Sequence, residues 1–265
     1  MIRRESAGPG PRERQVWRQV GTLAGAVVVL LGAGQTWTSL VRQAAVRPDP
    51  YPSSITALEL DLQDSTANID ATTQGHVAVR ETEHWTVSRP QVTRTITDHT
   101  LRISARCPQL LGVSEPACSV DLDIAAPPGT AVAIRSNSGA TRIRGLSGAL
   151  SLRTNSGSIE LDGISGRVDA QLTSGSINGQ RLASAEVQAA VTSGSMDLGF
   201  AAAPRTLALA CTSGSINVGL PPGSTYRLNT SGSADTDPAL IDPASSNSIT
   251  AVSGSGHTSL GYATG

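Results

Sequence analysis

The chain has 265 residues, of which 38% are hydrophobic, 15% charged and only 3% aromatic, with 27 glycines. So few rings leave a core to be built from small aliphatic side chains in a regular repeat, and the glycine content suits an exported β-rich protein better than a cytosolic enzyme. All 20 basic residues are arginine; beyond Val41 there are 15 of them against 19 acidic residues, a net of −4 without an arginine-and-aromatic cluster, which argues against nucleic acid as a partner.

Residues 1–19 carry Arg3, Arg4, Arg12, Arg14 and Arg18 against two glutamates, and residues 20–41 are uncharged. At ~1.5 Å per residue that uncharged stretch reaches roughly 33 Å, one bilayer core. The expectation is a basic cytoplasmic tail (1–19), a single transmembrane helix (20–41) and an extracytoplasmic C-terminal domain, oriented by the positive-inside rule. A cleavable signal peptide is the competing reading, because Gln35, Thr36, Thr38 and Ser39 weaken the second half of the span. Residues 42–53, with Pro48, Pro50 and Pro52, read as an extended stalk.

Residues 54–130 alternate apolar and polar side chains in "ITALELDLQD", "HVAVRETEHWTV" and "SVDLDIAAPPGT", predicting longer strands that lead into the C-terminal half of the chain and cap it, with Trp85 and Leu110 near the cap. Cys107 and Cys118 bracket a loop holding Pro108, Gly112 and Pro116, the spacing of a local disulfide in an oxidising compartment. Cys211 reads as a small buried hydrophobe, since Leu172 and Val191 hold its place in neighbouring repeats. The four histidines, His76, His84, His99 and His257, share no metal-ligand interval, and no metal or cofactor site is predicted.

Residues 131–265 are written in repeats. Ser-Gly markers stand at Ser138-Gly139, Ser156-Gly157, Ser174-Gly175, Ser193-Gly194, Ser213-Gly214, Ser231-Gly232 and Ser253-Gly254, at intervals of 18, 18, 19, 20, 18 and 22 residues. That period belongs to repeat architectures. A second corner at Ser147-Gly148 and Ser165-Gly166 gives each unit two corners and two short strands. Six residues before the marker stand Val132, Leu150, Val168, Val187 and Leu207; three after it stand Ile159, Ile177, Met196 and Ile216. Aliphatic columns with polar residues between them predict an all-β, solenoid-like stack in which each strand lies about 4.8 Å from its counterpart. Arg142 and Arg144 precede Glu160 and Asp162 by one period, so these pairs should be neighbours on adjacent rungs. An antiparallel meander is the competing arrangement.

The repeated serine is a corner residue on this reading: glycine takes the turn's positive φ, and serine bonds the turning backbone. There is no G-x-S-x-G elbow and no Walker pattern, so no catalytic residue is predicted. Asn137, Asn155, Thr173, Thr192, Thr212 and Thr230 stand just before their markers and form a candidate surface ladder; plain turn chemistry explains the same residues.

The anchor, "LDLQDSTANIDAT", "CSVDLDIAAPPGT" and the repeated "GLSGALSLRTNSGSIELDGISG" resemble bacterial proteins of the β-strand-repeat putative-adhesin family of unknown function. The resemblance implies an extracytoplasmic solenoid-like domain and no catalytic residues. The unit "TSGSADTDPALIDPASSNSI" departs from the pattern and predicts a bulging loop. Together these readings describe a single-pass, non-catalytic binding or scaffold module whose partner is an envelope protein or polymer. The alternatives are an envelope-stress signalling component and a surface polysaccharide hydrolase using carboxylates such as Glu160 and Asp162.

Overall fold

The computed structural model describes residues 43–51, 54–110, 113–114 and 118–263. The expected cytoplasmic tail and transmembrane helix lie outside these residues, and among the described residues no helix is long and apolar enough to cross a membrane.

Strands β1 (Gln43–Pro50), β2 (Ala57–Ala71), β3 (Ala78–Trp85), β4 (Gln91–Thr97) and β5 (Thr100–Arg106) come first. The two-residue strands β6 (Gln109–Leu110) and β7 (Val113–Ser114) precede β8 (Ser119–Ala126). The repeats follow as β9 (Ala131–Arg144), β10 (Leu150–Asp162), β11 (Val168–Leu182), β12 (Glu186–Phe200), β13 (Thr206–Leu220), β14 (Arg227–Thr236) and β15 (Ser248–Tyr262).

Successive repeats pair in parallel, so the antiparallel alternative is excluded for them. Leu150 lies opposite Val168, Val168 opposite Val187 and Val187 opposite Leu207, while Ile159, Ile177, Met196 and Ile216 form the second column. All are buried, at 3% exposure or less. Each turn of chain therefore lays an aliphatic residue on its equivalent, and every residue so buried contributes about 1.5–3 kcal/mol. Leu146 and Ile164 close the core from the connections between strands, and Leu182 does so from the end of β11.

Each unit differs in one respect from the two short strands expected. The strand runs continuously through the Ser-Gly-Ser corner, 13 residues in β10 and 15 in β11. In β10 the buried positions are Leu150, Leu152 and Thr154 before the corner and Ile159 and Leu161 after it. Alternation thus slips by one residue at the corner, as in a β-bulge with glycine at positive φ. The slip keeps the inner face inward as the strand bends.

Stacking begins earlier than residue 131. β2 pairs with β9 in the same parallel register, Leu58 opposite Val132 and Ile69 opposite Ile143, so β2 is the first rung. Beyond it the sheet forks: β5 continues the first half of β2 and carries β4, and β8 continues the second half and carries β3 and then β1. The stretch expected as a stalk thus includes a strand hydrogen-bonded at the sheet edge.

The far end is also reordered. β15, not β14, pairs with β13, and β14 lies outside β15. β15 brings Ile249, Ala251 and Leu260 to the columns of Leu207, Leu209 and Val218, whereas β14 is mostly exposed. The more polar strand takes the edge, where an apolar one would invite aggregation. The expected bulging loop holds a 3₁₀ turn, Pro238–Leu240, which buries Leu240 near Tyr226. Both are fully covered.

Candidate functional site

The corner glycines are a structural ladder. Gly139, Gly157, Gly175, Gly194, Gly214 and Gly256 have φ between 120° and 146°. A Cβ on Gly175 would lie 1.9 Å from the Gly157 carbonyl oxygen, and one on Gly194 1.8 Å from that of Gly175. No other residue fits at these positions. The last corner corrects the expected marker by two residues: Ser255-Gly256, not Ser253-Gly254, lies opposite Ser213-Gly214. Ser253 is buried in the column of Cys211. Ser231-Gly232 turns in the edge strand β14, where the register shifts. The serines Ser138, Ser156, Ser174, Ser193 and Ser213 hold equivalent positions along five rungs. Their place in the ladder is shared, and Ser138 differs in that its hydroxyl donates to the Asp64 carboxylate on the preceding rung.

The outer face presents the polar ladder. Asn137, Asn155, Thr173, Thr192 and Thr212 are exposed on consecutive rungs, and the Asn155 amide donates to Asn137 Oδ1 at 3.1 Å. Thr230 is a correction: it lies opposite Ala251 on the displaced strand β14 and does not extend the column. Two residues further from the corner the face reads Asp61, Arg135, Arg153, Gln171, Ala190, Ala210 and Val252, a gradient from charged to apolar.

A hollow of about 520 Å³ opens at the charged end of this face, lined by Asp61, Gln63, Arg106, Arg135, Asn137, Arg153 and Asn155 among others. Arg153 reads from the sequence only as one of the polar residues between the aliphatic columns and Arg135 is not singled out, although their spacing of 18 residues is the one that flags Arg142 and Glu160.

From β2 to β11 the face formed by the second halves of the strands is neutralised from rung to rung. Arg142 meets Glu160 at 2.6 Å, as its spacing predicts, and this hydrogen-bonded carboxylate raises the guanidinium's pKa further. Arg144 reaches back to Asp70 at 3.3 Å, and Asp162 takes Arg181 from the rung ahead. The expected Arg144–Asp162 contact is thus replaced by contacts on either side, though the two residues are in register.

At the forked end, Glu81 and Glu83 on β3 point inward with exposures of 1% and 3%. Arg94 on β4 pairs with Glu81, and Arg89 pairs with Glu83 at 2.5 Å while lying 5.2 Å from the centre of the Trp85 ring. Burial raises the Glu81 pKa, the neighbouring Glu83 adds to the rise, and Arg94 opposes it. The alternation in "HVAVRETEH" already places Glu81 and Glu83 on the side of Val77 and Val79, a signal that could have revealed them.

The cysteines fall as expected: Cys107 and Cys118 form a disulfide, and Cys211 is free and buried, its thiol pKa raised by burial. Among the described residues no group of three or more His, Cys, Asp or Glu is placed to hold a metal ion. His84 pairs with Asp121 at 3.3 Å, and His257 Nδ1 lies 3.4 Å from Ser233 Oγ at the exposed edge.

Residues 116–208 match the family described as Toastrack DUF4097. The matched segment runs from β8 into the start of β13 and contains the rungs β9 to β12. It bears out the resemblance to a β-strand-repeat family of unknown function. No curated protein matches the sequence significantly. Among solved structures, the chain is similar to a putative adhesin from Bacteroides fragilis, with 13% identity over 82% of this chain and 97% of that one and a TM-score of 0.42. It is also similar to a putative cell adhesion protein from Clostridium sporogenes, with 12% identity over 83% and 100% of the two chains and a TM-score of 0.37.

Proposed function

We propose that the chain is a non-catalytic binding or scaffold module outside the cytoplasmic membrane, tethered through its N-terminal segment and contacting an envelope polymer or protein with its outer faces. The observation that carries this reading is the exposed column Asn137, Asn155, Thr173, Thr192 and Thr212. Backbone pairing holds these groups at about 4.8 Å intervals, and extended solenoid faces of this kind bind without a deep pocket. The carboxylates that would serve a hydrolase support the same reading, since Glu160 and Asp162 are both engaged by arginines. A general acid and base need freedom to exchange protons.

The test is crosslinking and recovery of the full-length chain from intact cells, compared with the variant Thr173→Val, Thr192→Val, Thr212→Val. Native chain should recover a stoichiometric envelope component from the membrane fraction, and the triple variant should recover markedly less. Equal recovery with unchanged folding removes the column from the binding face; release of a shortened product into the medium removes the tether.

A further inference from the structure

We infer that Arg135 and Arg153, with Asn137 between them and the corner, form a binding site for the oxyanions of an anionic glycan, a polyhydroxylated polymer bearing phosphate or carboxylate groups. The inference rests on the binding-face reading above and names the ligand class of that face.

Arg135 and Arg153 are set apart by facing each other on adjacent rungs with no carboxylate between them. Six other arginines of the outer faces are neutralised: Arg102 by Glu59, Arg106 by Asp61, Arg142 by Glu160, Arg144 by Asp70, Arg167 by Glu186 and Arg181 by Asp162. Arg135 and Arg153 lie directly opposite each other on β9 and β10, about 4.8 Å apart at the backbone, and neither has a carboxylate partner among the described residues. The acid nearest in register is Asp61, opposite Arg135, and it is held by Arg106 at 3.0 Å. On the other side Gln171, opposite Arg153, donates to Asp169. Like charges facing each other across a ladder are destabilising. An oxyanion seated between them would turn that repulsion into two charge-assisted contacts.

The surroundings fit such a guest. Arg135 and Arg153 line both the 520 Å³ hollow and an adjoining one of about 160 Å³, so they form a ridge between two shallow basins. The two basins hold four arginines, Arg102, Arg106, Arg135 and Arg153, against Glu59 and Asp61, a surplus of two positive charges on a chain whose net charge is −1. Guanidinium groups present planar forks suited to phosphate and carboxylate. Asn137 lines the larger basin, and its amide NH₂ adds a neutral donor. The hydroxyls of Thr173, Thr192 and Thr212 continue from this point along the stack, which favours a hydroxylated polymer over an isolated small anion.

The experiment measures binding of the full-length chain to poly(glycerol phosphate), polygalacturonate, polyglutamate and neutral dextran at low and high salt. The variants are Arg135→Gln/Arg153→Gln and, as a control at exposed arginines outside both basins, Arg205→Gln/Arg227→Gln. Native protein and the control should bind one or both anionic glycans at low salt, release them at high salt and ignore dextran. The Arg135/Arg153 variant should bind about tenfold or more weakly, the equivalent of roughly 1.4 kcal/mol or more, with an unchanged or slightly raised melting temperature. Inorganic phosphate should compete only at concentrations far above those of the polymer; competition at equal phosphate concentration would show a site for the free anion and overturn the glycan assignment. Preference for polyglutamate would also overturn it. Undiminished glycan binding by the Arg135/Arg153 variant overturns the arginine site yet leaves a face defined by the threonine column. Absence of binding by native protein overturns the site, and the crosslinking recovery then judges the broader reading alone.

Discussion

Replacing Gly175 by alanine tests whether the corners are held by close backbone contact between rungs. An ideal Cβ at this position lies 1.9 Å from the Gly157 carbonyl oxygen, whereas Cβ atoms essentially never come within 3.0 Å of a neighbour, so β11 must retreat by about 1 Å. The retreat is blocked on the other side, where Gly194 is packed as tightly on the Gly175 carbonyl. A shift of that size takes flanking N···O distances from ~2.9 Å to near 4 Å, beyond hydrogen-bonding range. Two such bonds are worth about 1 kcal/mol each, and holding a non-glycine residue in a disfavoured φ region costs about 1–3 kcal/mol more. The expected loss is about 3–5 kcal/mol. Gly163→Ala is the comparison, because its φ is also positive, at 61°, but nothing lies within 4 Å of the added Cβ; it should cost only about 1–2 kcal/mol. Urea unfolding of the full-length chain, followed by circular dichroism in the strand band, measures both. Equal losses in the two variants would refute interlocked corners and leave backbone conformation as the whole effect.

Glu81→Gln tests the buried acid. A carboxyl whose folded pKa is raised contributes stability at pH values below its unfolded pKa and loses that contribution as pH rises through the folded value. The variant should therefore gain on the native chain as pH increases from about 4, and a difference that is flat with pH would oppose the assignment. Replacing Cys107 and Cys118 by serine should cost about 3 kcal/mol for a loop of this length, read as a lower urea midpoint. Unreduced native protein should not react with a thiol reagent; unfolding without reduction should expose one thiol and reduction all three. Rapid labelling of folded protein would contradict the burial of Cys211. A double-mutant cycle on Arg142 and Glu160 should give a coupling of about 0.2–1 kcal/mol that fades at 1 M salt; persistence at high salt would show that the pair is not solvent-screened.

Much of the stack was legible because its information is periodic. The intervals of the Ser-Gly phrase, the aliphatic columns of Leu150 and Ile159 and the Leu172–Val191–Cys211 equivalence all follow from one requirement, that like side chains lie over like. The same periodicity misled at the ends. Ser253-Gly254 has the spelling of a corner but sits two residues before the real one, because the choice between it and Ser255-Gly256 depends on which glycine can pack on the Gly214 carbonyl. The polar column was likewise legible from Asn137 to Thr212 and failed at Thr230, whose strand is displaced to the edge.

The amino-acid sequence by itself determined the β class, the rung length, the inward-facing aliphatic residues and the local disulfide, since all of these depend on spacing along a single repeat or a single loop. Only the tertiary structure decided that β2 is already a rung, that β15 lies between β13 and β14, that Glu81 and Glu83 are buried with arginines, and that Arg135 and Arg153 stand without acidic partners. These depend on which segment wins a place beside another, and on which of several nearby charges a long side chain reaches. That competition among non-local contacts is settled by packing and charge pairing across the whole stack, and no spacing along the chain encodes it.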